Sequence, residues 1–437
     1  MTMCAIEPST GHSDTGHPDT EHGSRTENPG NTENTDRTED EGGTERGDGR
    51  PAPGCVLTAD GSYAARLVPV DGSLVPERWT LDGPEPYAVP LPGGRPEEPG
   101  TEVQPLGDGR VLVHRPADGP HGGSRHGRHT FSLLYPTGPG TGELPLGAIA
   151  CPDGGTRLRL LPPAPCGRRA YAVAVGPRST TLWLVAGGTL GPERLAEIPG
   201  RCSGGVWLDR TGRMLALDRE TGGRTKSVVV DLGRGGEVSP LLQLAPESDD
   251  RVLLADPDSG LLLIRSDAPS PGRARLGWGV LGSTLPVRFP ECLRLPDCTV
   301  TPFAIQPGQV LTPESCSVAL RVNSTDGADG ADGALGSWVG VWRPGLRQMR
   351  HLPAPEGWLA GTGLWTADGV LRLPCATPAV PCAVALLYPP APERQRGKNG
   401  PHAPAPAPAV GPATRTTVPA PRPVPLQQAP LGPLVTK

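Results

Sequence analysis

The chain has 437 residues and a net charge of −5, with 61 glycines and 57 prolines. Glycine and proline at this level approach the range of disordered sequence, yet apolar residues still make up 36% and gather in the middle, where they can form a core. The body is near neutral, which argues against non-specific nucleic-acid binding, and the sequence has no run of 18 apolar residues to cross a membrane as a helix.

Residues 1–50 are rich in Thr, Glu, Asp, Gly and Asn and carry net negative charge. Such a segment buries too little apolar surface to offset its ordering entropy and is expected to be a disordered acidic tail. His12, His17 and His22 recur every five residues there, which reads as low-complexity drift. The N-terminus lacks a basic start followed by an apolar run. The expectation is therefore a cytoplasmic protein with its ten cysteines as thiols.

A repeat runs from residue 51 to 392. Apolar runs with a bulky or branched centre occur at Trp79, Phe131, Trp183, Val228, Trp278, Trp338 and Val384. A glycine turn precedes each, at Gly61, Gly109, Gly167, Gly212, Gly260, Gly308 and Gly369. Both markers count to seven with a period near 50 residues. Each unit reads as run, glycine turn, run, variable gap, run, short turn and weaker run. The turns "ADGS", "GDGR" and "RTGR" suit tight hairpins, because glycine takes positive φ freely. Four short strands per unit at this period predict an all-β, seven-bladed β-propeller of four-stranded antiparallel blades. The seventh unit has no evident fourth strand, and residues just before Cys55 are the candidates to supply it.

Two gaps between the second and third runs are long. "HRPADGPHGGSRHGRH" offers His114, Arg115, His121, Arg125, His126, Arg128 and His129. "NSTDGADGADGALG" offers Asp326, Asp329 and Asp332. Both gaps are expected on the same face of the ring, opposite the glycine turns, as candidate interaction loops of opposite charge. Residues 393–437, rich in Pro and Ala and net basic, read as a second disordered tail. "PAPRPVP" within it, from Pro419 to Pro425, suits a spacer better than a docked ligand.

On repeat length and strand grammar, the body resembles a bacterial β-propeller of the WD-repeat or TolB-like kind. No Trp-Asp dipeptide closes the strands and no Gly-His opens the units. The resemblance implies a binding platform, or a propeller of the type that lids serine peptidases.

Chemistry is sparse. No G-x-S-x-G elbow and no P-loop occur, and Ser203 in "GRCSGG" has the wrong spacing for a nucleophile turn. Cys292 and Cys298, or Cys375 and Cys382, are too far apart for the usual zinc pairs. Buried thiols are the expected state, with disulfides in these pairs as the alternative if the protein is exported. Asp326, Asp329 and Asp332 lack the alternation and closing Glu of a calcium loop. Trp79, Trp183, Trp278 and Trp338, at equivalent places in their units, are expected to pack between blades. No catalytic residue, metal or cofactor is assigned. The expected role is a non-enzymatic propeller that binds a protein partner, without nucleic acid or membrane. The alternatives are a lactonase-like or lyase-like propeller enzyme and an orphan accessory propeller of a serine hydrolase. For the enzyme, the first strands offer only Glu102, Asp209 and a few arginines.

Overall fold

A computed structural model of the chain describes residues 54–117, 127–151, 155–324 and 337–389. The two tails, His121, Arg125, His126 and the three aspartates Asp326, Asp329 and Asp332 lie outside these residues.

Seven antiparallel sheets follow one another along the chain, each a meander of consecutive strands. Blade one is Val56–Leu57, Tyr63–Val70, Ser73–Thr80 and Tyr87–Pro90, and the pattern repeats to blade seven, Leu364–Trp365, Leu371–Cys375 and Ala383–Leu387. The only helical pieces among the described residues are three single 3₁₀ turns. The molecule is a seven-bladed β-propeller. No helix among the described residues is long and apolar enough to cross a membrane.

The seven glycine turns expected from sequence all join first to second strands, and all seven glycines have positive φ, from 67° at Gly167 to 89° at Gly369. An aspartate beside the turn often locks it. Asp60 accepts from the Ser62 amide at 3.0 Å, and Asp108 from the Arg110 amide at 3.1 Å. These turns also touch across blades. Gly107 N donates to Gly167 O at 2.7 Å between blades two and three. Arg210 of blade four pairs with Asp258 of blade five, which in turn accepts from Gly308 N of blade six at 2.8 Å.

Second strands are apolar on both faces, because each blade is sandwiched between two others. In Leu261–Ser266, Leu261 and Leu263 pack toward blade six, while Leu262 and Ile264 pack toward blade four. Period-two alternation thus feeds two different cores. Seven hydrophobic clusters arise among the described residues, one at each junction between neighbouring blades. The last closes the ring: Cys55, Ala64, Trp79 and Leu81 of blade one meet Leu359, Cys382 and Val384 of blade seven. Hydrogen bonds cross the same junction, from Thr362 Oγ1 to Cys55 O at 3.1 Å and from Arg372 to Leu81 O at 2.7 Å.

The blades differ in strand count, and one of the tryptophans departs from expectation. Five blades have four strands, but among the described residues blade five, like blade seven, has three. After Arg275–Val280 the chain carries Pro286, Pro290 and Pro296, which cannot donate to a ladder. A single bridge, Trp278 to Arg288, is what remains of a fourth strand. The tryptophans also diverge. Trp79, Trp183 and Trp278 pack at blade junctions. Trp338 is 54% exposed. It pairs with Val322 at the end of its strand nearest the gap in blade six, and Trp342 at the opposite end fills the core instead.

All nine described cysteines are free thiols, including both pairs considered for disulfides. Five are buried, and Cys166 alone among them is exposed.

Candidate functional site

Blade two holds the polar cluster that the sequence pointed to. Its strands are Glu102–Pro105, Val111–Ala117, Gly127–Pro136 and Thr141–Cys151. Antiparallel register sets Glu102 opposite His114 and Pro116 opposite His129. Three side chains from three adjacent strands thereby fall into line. His114 Nδ1 lies 2.8 Å from Glu102 Oε2, and His114 Nε2 lies 2.9 Å from His129 Nδ1. His114 is 1% exposed, with Phe131 beside it at a ring separation of 5.1 Å.

The carboxylate only accepts, so the His114 proton belongs on Nδ1. Nε2 of the neutral ring is then an acceptor, and His129 must donate through Nδ1. Glu102 Oε2 also accepts from the Leu160 amide of blade three at 2.9 Å. The line therefore ties three strands of one blade to the first strand of the next.

Arg115 points to the other face of its strand and is buried. Its guanidinium donates to Glu97 at 2.6–3.0 Å, to Glu143 at 2.7 Å and to Ser132 at 3.3 Å. Burial disfavours its charge, but the bonds to Glu97 and Glu143 outweigh that and hold its pKa above the ordinary value. Burial likewise raises the Glu143 carboxyl, yet Arg115, Ser132 and Arg95 bring it below the usual range. Above these two clusters the second and third strands end at Ala117 and Gly127, flanking the Arg/His-rich segment, and Arg128 is exposed.

Of the ten residues singled out from sequence, four are described. The structure brings His114 and His129 together, sets Arg115 on a separate carboxylate network, and leaves Arg128 at the surface. The other six lie outside the described residues. Sequence reading missed Glu97 and Glu143, which come from a blade linker and a fourth strand and carry no local signal. It also missed a recurrent arginine in six second strands: Arg66, Arg115, Arg219, Arg265, Arg321 and Arg372. Several of these reach a neighbouring blade, as Arg265 does toward Val300 O at 3.4 Å.

A cleft of about 200 Å³ opens on the opposite, glycine-turn face, lined by Asp60, Asp108, Cys166 and Arg168 among others. Among the described residues no group of three or more His, Cys, Asp or Glu side chains is arranged to hold a metal ion.

Strand order and junctions define the class as a seven-bladed β-propeller. TolB from Acinetobacter baumannii matches at 11% identity over 75% of this chain and 80% of that one, with a TM-score of 0.37. An oligogalacturonate lyase from Vibrio parahaemolyticus matches at 11% identity over 75% and 87%, with a TM-score of 0.45. Dipeptidyl peptidase 4 of Porphyromonas gingivalis matches at 12% identity over 74% of this chain and 50% of its own length, with a TM-score of 0.44. No protein-family model matches the sequence, and no curated protein does.

Proposed function

We propose that the protein is a non-enzymatic binding propeller that holds a protein partner on the face carrying its second-to-third-strand connections. One observation carries the reading: the polar groups beneath the rim of blade two are spent on each other. Glu102 is engaged by His114 and the Leu160 amide, and Arg115 by two carboxylates and a hydroxyl. A satisfied buried network fixes the strands that carry a surface, rather than presenting reactive groups. His114 and Arg115 thus serve as the base, while Arg128, His129 and the segment with His121, Arg125 and His126 supply the contact. In sequence, Asp326, Asp329 and Asp332 fall in the blade-six gap and bring the opposite charge, and the strand that follows this gap carries Trp338, an exposed aromatic of the kind that anchors interfaces. A partner with an acidic patch and a basic patch at matching separation suits such a rim.

The test replaces residues 118–126, and separately 325–336, by Gly-Ser. Polyglutamate is the probe for blade two and polyarginine for blade six. Binding of each probe should fall about tenfold or more only in the matching variant, and should weaken with salt. Unchanged binding in both variants, or no binding by the intact chain, contradicts the reading. The propeller-enzyme reading draws on the same line from Glu102 through His114 to His129, which resembles a carboxylate–imidazole relay. Calorimetric titration with divalent metals separates the two, since tight binding by the propeller favours the enzyme.

A further inference from the structure

One arginine of blade six stands apart by its surroundings. Arg343 follows the third strand, Ser337–Trp342, and opens the turn into the fourth, Arg350–Pro353. Its Nε donates to the Ser317 hydroxyl at 2.9 Å, and among the described residues no carboxylate meets its other N–H groups. Arginines of the blade-four glycine turn are neutralised instead. Arg210 bonds Asp258 and Arg213 bonds Asp231, and these bonds hold both above their ordinary pKa. Arg343 is the reverse: burial disfavours its charge, the neighbouring Arg350 disfavours it further, and its pKa lies below the ordinary value. A half-buried cation facing a second cation is costly unless an anion joins them.

We propose that Arg343 and Arg350 bind a compact oxyanion of the phosphate type at the junction of blades six and seven. Register brings the two together. Val341 lies opposite Arg350, so Arg343, two residues on, is its diagonal neighbour on the same face of the sheet. That face meets blade seven: Ala319 and Val341 pack there with Trp365 and Leu371, while Val318 and Trp342 pack toward blade five. The arginines therefore cap the end of an apolar junction, which Gln306 also spans by donating from Nε2 to Ala367 O at 3.0 Å. Neither acidic residue of the adjoining loops competes for them. Glu314 meets the turn through its carbonyl, which accepts from Gly345 N at 2.9 Å. Asp368 is held below its ordinary value by a bond from Thr366 rather than by an arginine. Ser317 fixes Arg343 through Nε and leaves both Nη groups to donate to the oxygens of one anion. Both arginines are half-buried, which admits a small anion and excludes a polymer chain.

Calorimetric titration of the full chain with inorganic phosphate in a chloride buffer tests this. Binding should saturate, and Arg343→Gln and Arg350→Gln should each weaken it about tenfold or more. Arg210→Gln should leave it unchanged. So should replacement of residues 118–126 by Gly-Ser, which separates this site from the rim of blade two. Hydrogen exchange on the intact chain needs no variant to fold: phosphate should slow the amides from Arg343 to Arg350 and leave those from Gly187 to Pro192 alone. Absence of saturable binding by the intact chain overturns the proposal. So does binding that both arginine variants keep, or a phosphate footprint confined to another part of the ring.

Discussion

Arg115 and Glu97 form a buried ion pair at 2.6 Å. Arg115→Met leaves Glu97 in the interior without its cation, and should cost roughly 3–5 kcal/mol in urea unfolding. Arg110→Ala breaks the half-exposed pair with Asp108 and should cost less than about 1 kcal/mol. Equal losses would contradict the distinction between the two sites. The His114 tautomer is equally checkable. Nitrogen-15 shifts of the neutral ring should show the proton on Nδ1, and a proton on Nε2 would break the inferred line to His129. Thiol reactivity follows burial. Desolvation pushes Cys55 up to about 12 and Cys382 up to about 11. With the thiolate suppressed, both should resist alkylation at pH 8 in the folded protein, while exposed Cys166 reacts first among the described thiols.

At the level of the element, the glycine turns do two jobs that substitution separates. Gly61 and Gly72 share positive φ, 74° and 78°. A methyl at Gly72 would meet nothing, whereas one at Gly61 would strike the Leu364 side chain of blade seven. Gly72→Ala should therefore cost about 1 kcal/mol of backbone strain. Gly61→Ala should cost about 1–3 kcal/mol more through overpacking at the ring closure. These turns and the third strands were legible in the sequence because they rest on local rules: glycine for positive φ, and an apolar centre for a strand buried on both faces. The lack of a described fourth strand in blade five was not, since a weak outer strand and a proline-broken segment look alike until one sees which backbone groups pair. Trp338 was misplaced for a related reason. A tryptophan near the start of a strand, just after a glycine-rich gap, packs or faces solvent according to which end of the strand meets the neighbouring blade, and spacing does not report that. In blade two, the histidines and arginines were visible in one quoted stretch. Their partners Glu97, Glu102 and Glu143 come from separate strands and linkers, so only register brings them in.

For the whole molecule, stability rests on seven junctions rather than on one central core, with no blade able to cover its own faces. Acid should loosen it in a defined window. Glu143, Asp60 and Asp108 all have carboxyls held below their ordinary values: burial opposes this, and hydrogen bonds from Arg115, Thr58 and Arg110, respectively, overcome it. Groups lowered on folding add stability above their unfolded values, near about 4.3 for Glu and 3.9 for Asp, and lose it as pH falls through the folded values. Unfolding midpoints in urea should thus be steady from neutral pH to about 5 and drop below about 4. A midpoint that rises on acidification would contradict these networks. The functional claim also belongs to the whole ring, because it assigns recognition to one face and structural closure to the other. The measurement that tests it most directly is the hydrogen-exchange footprint of polyglutamate on the intact chain. Polyglutamate should slow exchange at the ends of the second and third strands of blade two, around His114–Pro116 and Arg128–Thr130, and leave the glycine-turn face unchanged. A footprint centred instead on Asp60, Asp108 and Gly167 would contradict it.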